Sequence, residues 1–188
     1  MTSHRSDVGK RGAAVGFVLL ALAFMLFAAG CGGSNKSTKA PNFSASDLAE
    51  TAGDNWVTNG GSTMNQRYSS LDEIDTSNVS QLKGVWRVHL DKSGVAAKYS
   101  GEGQPIEYNG ILYVTTGNDD VFAYDVATGK RLWKYSSNIP QDITTVCCGW
   151  LNRGVAIGDG RVYLGQLDGK VVALDQKTGE KIWTRQLA

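Results

Sequence analysis

An all-β fold is what this 188-residue sequence predicts, and three observations predict it. Asn109 to Trp133 aligns with Asp159 to Trp183 at an offset of 50 residues without a gap, with eight identities in 25 positions: Gly110/Gly160, Tyr113/Tyr163, Val121/Val171, Ala123/Ala173, Asp125/Asp175, Thr128/Thr178, Gly129/Gly179 and Trp133/Trp183. Within each copy the apolar runs are short and rich in β-branched and aromatic residues, which suits strands over helices. A fainter third copy ends at Trp86, so tryptophans recur at 86, 133 and 183. A period of roughly 40 to 50 residues carried by short strands is the signature of β-propeller blades.

In chain order, the first element is an export signal. His4, Arg5, Lys10 and Arg11 precede an uncharged stretch from Ala13 to Gly30 that includes Phe17 to Leu20 and Phe24 to Phe27. Basic residues, an apolar run and small residues in that order mark a secreted chain. The tail Ala28-Ala29-Gly30-Cys31 resembles the lipobox of bacterial lipoproteins, although Ala28 stands where that pattern usually has Leu. The resemblance implies lipidation of Cys31 and a membrane anchor. An uncleaved anchoring helix is the alternative, since the stretch approaches the ~18 apolar residues of a membrane span. Both readings place the rest outside the cytoplasm, in a periplasmic or cell-surface setting.

Residues 31–53 read as a linker. Gly32 to Pro41 is a polar tether of the kind that holds a domain away from a bilayer. Folded sequence is expected from near Asp54, giving an order of 1–30 signal peptide, 31–53 linker and 54–188 partial propeller. Charge adds an exclusion. Removing residues 1–30 takes away Arg5, Lys10, Arg11 and Asp7 and turns the net charge from +1 to −1, which offers no electrostatic case for nucleic acid.

Each copy then reads as strand, hairpin, strand, turn, and a strand ending in Trp. Gly110 to Val114 and Gly160 to Leu164 open on turn residues; Val121 to Tyr124 and Val171 to Leu174 follow. Asp125-Val126-Ala127-Thr128-Gly129 and Asp175-Gln176-Lys177-Thr178-Gly179 are turns, because Asp and Thr side chains bond nearby backbone N–H groups and Gly accepts positive φ. The once-per-repeat Trp is expected between neighbouring blades. Ala188 follows Trp183 with nothing to close a ring, so about three blades with open edges are expected to be the N-terminal portion of a longer protein.

Cys147 and Cys148 are adjacent, in the run Cys147-Cys148-Gly149-Trp150-Leu151-Asn152-Arg153-Gly154 between two repeat copies. Relaxed disulfides hold their Cα atoms roughly 4.4–6.8 Å apart, whereas neighbouring Cα atoms are about 3.8 Å apart, so a bridge here would be strained. Two buried thiols are the plain alternative. Export favours the bridge, because with Cys31 lipidated no other cysteine remains as an intrachain partner. The only histidines are His4 and His89, so imidazole metal sites are not expected.

Taken with Trp56, Asn59-Gly60-Gly61, Gln66-Arg67-Tyr68-Ser69, Asn78-Val79 with Leu82 and Trp86, Glu102-Gly103-Gln104-Pro105 and the two Asp-x-x-Thr-Gly-x-x-x-Trp segments, this run resembles the quinoprotein alcohol dehydrogenases that use pyrroloquinoline quinone. The resemblance runs from about Asp54 to Ala188. It implies an eight-bladed propeller with the flat quinone on its axis. It also implies a Cys147–Cys148 disulfide against one face of that quinone, Arg153 at its rim and Glu102 at its polar edge. An always-charged planar fork suits carboxylate and quinone oxygens. In such enzymes Ca²⁺ polarises the quinone, an aspartate takes the alcohol proton and hydride passes to the cofactor. Those groups are expected beyond residue 188, so no catalytic residue is expected within this chain. The implied partners are a small alcohol and a cytochrome or quinone electron acceptor.

Two alternatives come from other classes. A non-catalytic propeller lipoprotein similar to the outer-membrane assembly scaffold would share the lipobox and the blades, but has no need for adjacent cysteines or Arg153. A truncated product would only bind, or not fold. Neither a Gly-x-Gly-x-x-Gly after a strand, nor a Walker-type loop, nor a Gly-x-Ser-x-Gly elbow occurs. Asp72-Glu73 and Asp119-Asp120 lie at expected turns and read as solvated loop acids in preference to calcium ligands.

Overall fold

The computed structural model describes residues 43–91, 98–144 and 146–188. The expected signal peptide, Cys31 and the whole tether lie outside them. Among the described residues no helix is long and apolar enough to cross a membrane.

The repeat folds into two four-stranded antiparallel sheets. The first runs β1 (Ile106–Tyr108), β2 (Ile111–Thr115), β3 (Val121–Asp125) and β4 (Arg131–Tyr135); the second runs β5 (Ala156–Gly158), β6 (Arg161–Gly165), β7 (Lys170–Asp175) and β8 (Lys181–Gln186). Strands adjacent in sequence are adjacent in space, as in a propeller blade. Asn109-Gly110 (φ 51° and 75°) and Asp159-Gly160 (φ 49° and 71°) make the first hairpin of each sheet. Two successive positive φ values define the turn whose twist matches paired strands. The three-residue strands β1 and β5 escaped the sequence pattern because they are too short to display alternation.

The second repeated turn is closed by side chains. Asp125 Oδ1 accepts from Thr128 N at 2.8 Å and from Thr128 Oγ1 at 2.6 Å, and Asp175 Oδ1 accepts from Thr178 N at 2.8 Å. These bonds replace ladder hydrogen bonds where the chain reverses.

Tyr113, Ala123 and Trp133 stand in one row across β2, β3 and β4, and the pairs Val162/Leu174 and Leu164/Val172 face each other across β6 and β7. Together with Ile106, Val121 and Val155 they form one buried apolar cluster spanning both sheets. Each large side chain so buried stabilises the fold by about 1.5–3 kcal/mol. Trp86 and Trp133 do what the tryptophan spacing predicts. Trp133 donates its indole N–H to Gln176 O at 3.2 Å, and Trp86 donates to Val126 O at 2.7 Å. Each ring lies on the glycine of the neighbouring Asp-x-x-Thr-Gly turn: a Cβ on Gly179 would stand 2.5 Å from the Trp133 ring, and one on Gly129 would stand 2.7 Å from Trp86.

Two expectations change. The third copy keeps its tryptophan contact but has no strand; Leu82 and Val85 are 60% and 86% exposed, and among the described residues no strand lies alongside to share hydrogen bonds. Packed chain also begins before Asp54. A short helix, α1 (Ala45–Ala49), is capped by Ser44, whose hydroxyl accepts from Asp47 N at 3.1 Å while the Asp47 carboxylate accepts from Ser44 N at 2.7 Å. Thr63 N then bonds Leu48 O at 2.8 Å, and Ala52 is buried beside Ser69.

Candidate functional site

Two irregular segments, Lys98–Gln104 and Trp150–Gly154, run side by side. Trp150 N donates to Lys98 O (2.6 Å), Ser100 N to Trp150 O (2.7 Å) and Gln104 N to Arg153 O (3.1 Å). Trp150 anchors the pair: its ring is 3% exposed, its N–H donates to Ile143 O at 3.2 Å, Tyr99 meets it edge-on at 5.9 Å, and Lys98 Nζ lies 3.9 Å from its centroid.

This register sets Glu102 opposite Arg153. Arg153 Nη1 lies 3.0 Å from Glu102 Oε2, and Ser100 Oγ donates to Glu102 Oε1 at 3.1 Å. The side chains are 65% and 42% exposed, so solvent screens the pair and it contributes little to stability. What the pairing supplies is placement. A guanidinium that spends one edge on Glu102 keeps further N–H donors for an incoming oxygen acceptor.

Cys147 and Cys148 emerge just before these residues, both exposed, with Cys148 at φ 63°. Both stand exposed and unbridged, which sets aside the buried pair of the alternative. One peptide holds the Cα atoms closer than a relaxed bridge requires, so closure needs an oxidant and local rearrangement. A hydrogen bond with the Cys147 side chain raises the Cys148 thiol pKa above its ordinary value, and the nearby Glu102 charge adds to the shift. Glu102, Arg153 and Cys148 are thus brought together, with Cys147 next in the chain.

A cleft of about 340 Å³ opens beside Arg153, lined also by Asn59, Val155, Tyr163, Leu164 and Val171. Another, of about 380 Å³, lies against Trp56, Arg67, Gln104, Pro105 and Leu112 and holds none of the four candidate residues. Among the described residues no group of three or more His, Cys, Asp or Glu side chains is placed to hold a metal ion.

The expectation that Asp119 and Asp120 are solvated is wrong. Both lie in the β2–β3 turn, as expected, yet they are 0% and 1% exposed because the second sheet covers that turn. Asp120 Oδ1 accepts from Ser137 N at 3.0 Å, and its Oδ2 faces Lys134 at 3.5 Å. Asp119 Oδ1 accepts from Asn152 Nδ2 and its Oδ2 from Leu167 N, each at 2.7 Å. Burial drives the Asp119 pKa up to about 6 against the lowering effect of those two bonds. Asp72 and Glu73 are exposed, as expected.

Residues 56–185 match the family described as glucose/ethanol/alcohol dehydrogenase, β-propeller domain. The chain belongs to this dehydrogenase propeller family. Among its similar members, the dehydrogenase subunit of alcohol dehydrogenase (quinone) from Gluconacetobacter polyoxogenes is 43% identical over 131 residues, 69% of this chain and 17% of that protein. Quinoprotein alcohol dehydrogenase PedH of Pseudomonas putida is 40% identical over 132 residues, 70% of this chain and 22% of that one. The crystal structure of quinohemoprotein alcohol dehydrogenase from Comamonas testosteroni superposes with a TM-score of 0.64 at 36% identity, covering 71% of this chain and 19% of that one. A europium-containing methanol dehydrogenase superposes with a TM-score of 0.62 at 29% identity, over 71% of this chain and 23% of that one. The chain therefore spans between 17% and 23% of the length of these family members.

Proposed function

We propose that this chain supplies part of a pyrroloquinoline quinone site in an extracytoplasmic alcohol dehydrogenase anchored through Cys31. The observation that carries the reading is the Arg153–Glu102 pair at 3.0 Å, held beside Cys147 and Cys148 in a member of this family. The donor set suits the group. Arg153 offers charge and several parallel donors to carboxylate or quinone oxygens, and the exposed sulfurs offer a polarisable surface to a flat ring. Glu102 offsets the Arg153 charge and accepts from any ring N–H presented to it. In an oxidising compartment the adjacent thiols close to a bridge that stiffens this surface.

When bound, the quinone supplies a hydride acceptor for alcohol oxidation, assisted by a metal such as Ca²⁺. The metal ligands, the base that takes the alcohol proton, and the contacts with a cytochrome or quinone acceptor are assigned to parts of the protein outside residues 43–188. Residues in this chain bind and orient.

Quenching of tryptophan fluorescence by pyrroloquinoline quinone tests the reading on the full chain. Arg153→Ala should weaken Kd at least tenfold, the loss of about one charge-assisted contact. Affinity unchanged by that substitution removes the assigned role. No binding by the full chain turns the reading toward a protein-binding scaffold.

A further inference from the structure

The two sheets differ at one turn in a way that their shared sequence does not require. The β6–β7 turn places Gly169 at φ 77°, and the repeat offset puts Asp119, at φ 59°, in the matching place of the β2–β3 turn. Gly fits such a backbone freely, whereas a side chain there needs a local reason. The reason on the page is contact. Asp119 is fully buried, and its two oxygens take one donor from each of two other segments: the Asn152 amide in the Cys147–Gly154 run, and Leu167 N in the β6–β7 turn.

Asn152 passes that restraint on. Its Nδ2 also donates to Gly165 O at 2.9 Å, its Oδ1 accepts from Gly154 N at 3.0 Å, and its backbone carbonyl lies 3.5 Å from Thr115 Oγ1. Arg153 lies between the two residues so fixed, Asn152 and Gly154. We propose that Asp119 is a positioning residue: by holding Asn152 and Leu167 together, it sets where the Arg153 guanidinium stands beside Glu102. The part of the inference that concerns ligand affinity rests on the quinone-site reading above; the part that concerns Arg153 placement does not.

The position demands two acceptors, which only a carboxylate supplies. An Asn at 119 has one acceptor and one donor, so its NH₂ would face either the Asn152 amide or Leu167 N. Protonation of Asp119 has a similar consequence, because it turns one acceptor into a donor. The charged groups around Asp119 are the carboxylates of Asp120 and Asp168, which disfavour its charge; Lys134 pairs with Asp120 and Lys170 with Asp168, and Tyr135 lies close to both acids. Ionisation of Asp119 with a midpoint near pH 6 follows, so the restraint is complete above neutrality and loosens in mild acid.

The test uses the full chain, the single variant Asp119→Asn, and the swap Asp119→Asn with Asn152→Asp. In the swap, an amide at 119 donates to a carboxylate at 152 while its carbonyl still accepts from Leu167 N; the bond to Gly165 O is lost and a carboxylate oxygen faces that carbonyl in its place. At pH 7.5, D119N should bind pyrroloquinoline quinone about tenfold more weakly, and the swap should recover part of that loss. Binding by the wild-type chain should weaken between pH 7.5 and 5, and D119N should remove most of that dependence. Backbone and side-chain ¹⁵N shifts give a readout free of ligand: Leu167 N–H should titrate near pH 6, and Arg153 Nε should shift in D119N and return in the swap. Normal affinity in D119N, or an Arg153 signal that ignores both variants, overturns the inference. If the wild-type chain binds no quinone, the quinone-site reading fails, and the Arg153 shifts alone decide whether Asp119 positions it.

Discussion

At the scale of single residues, chemistry here is set by neighbours more than by residue type. Cys148 sits at a positive φ, and its hydrogen bond with the Cys147 side chain, aided by the nearby Glu102 charge, raises its thiol pKa and keeps it protonated at neutral pH. A protonated thiol is a poor nucleophile, so closure of the pair needs an oxidant and proceeds faster in alkali. In protein exported to an oxidising compartment, mass spectrometry of a non-reduced digest should show Cys147 bridged to Cys148. Two alkylatable thiols in that exported protein would remove the stiffened sulfur surface from the proposal. The adjacency of the cysteines and the Asn-Arg-Gly that follows were legible in the sequence. The resemblance placed Arg153 and Glu102 at one cofactor, while their direct contact depends on the parallel alignment of segments about fifty residues apart. Asp119 was misread for a related reason. Adjacent acids at a hairpin turn look solvated until a second sheet covers them, and the only local hint was an Asp where the matching turn has Gly169.

At the scale of elements, the blade is a hairpin meander whose last strand carries a tryptophan onto the next blade's turn. Trp133 is 7% exposed, tilts against Tyr113 at 5.9 Å, and covers Gly179. Trp133→Ala should destabilise the chain by about 3–5 kcal/mol, through lost burial and the cavity left behind. Gly179→Ala should also be destabilising, since φ is 73° there and the new methyl would meet the indole ring. Urea unfolding followed by circular dichroism measures both. A Gly179→Ala variant as stable as wild type would mean that the ring does not rest on this turn. The turn chemistry and the tryptophan spacing announced this contact in the sequence, whereas the edge strands β1 and β5 were hidden by their brevity.

At the scale of the molecule, the buried Asp119 charge should shape the response to pH. Its folded pKa, about 6, lies above the unfolded value near 3.8, so the folded state binds the extra proton and stability falls as pH rises through about 6. Asp47, Asp75 and Asp125 act in the opposite sense. Hydrogen bonds from Ser44, Ser77 and Thr128 lower their pKa values, and the stability they add is lost only as pH falls below the ordinary carboxylate range. Unfolding free energy should therefore be about 1–2 kcal/mol higher at pH 5 than at pH 7.5, and Asp119→Asn should flatten the difference. A wild-type chain that is instead more stable at pH 7.5 would mean that the Asp119 charge is not buried as the structure places it. Acid then strengthens the fold while loosening the restraint on Asn152, because relief of a buried charge and loss of an acceptor are separate effects of one proton.

Sequence alone determined the blades: a repeat with strand-rich runs, Asx-type turns and a recurring tryptophan has only local rules to obey, and local rules are written in neighbouring residues. It also marked the Cys147–Gly154 run and Glu102 as the residues to watch. Tertiary structure alone decided that Asp119 is buried, that its two oxygens tie two sheets to the segment carrying the guanidinium, and by which atoms Glu102 and Arg153 meet. Those relations depend on which faces meet when the two sheets pack, and that information is spread over the whole apolar cluster rather than held by any one stretch of chain.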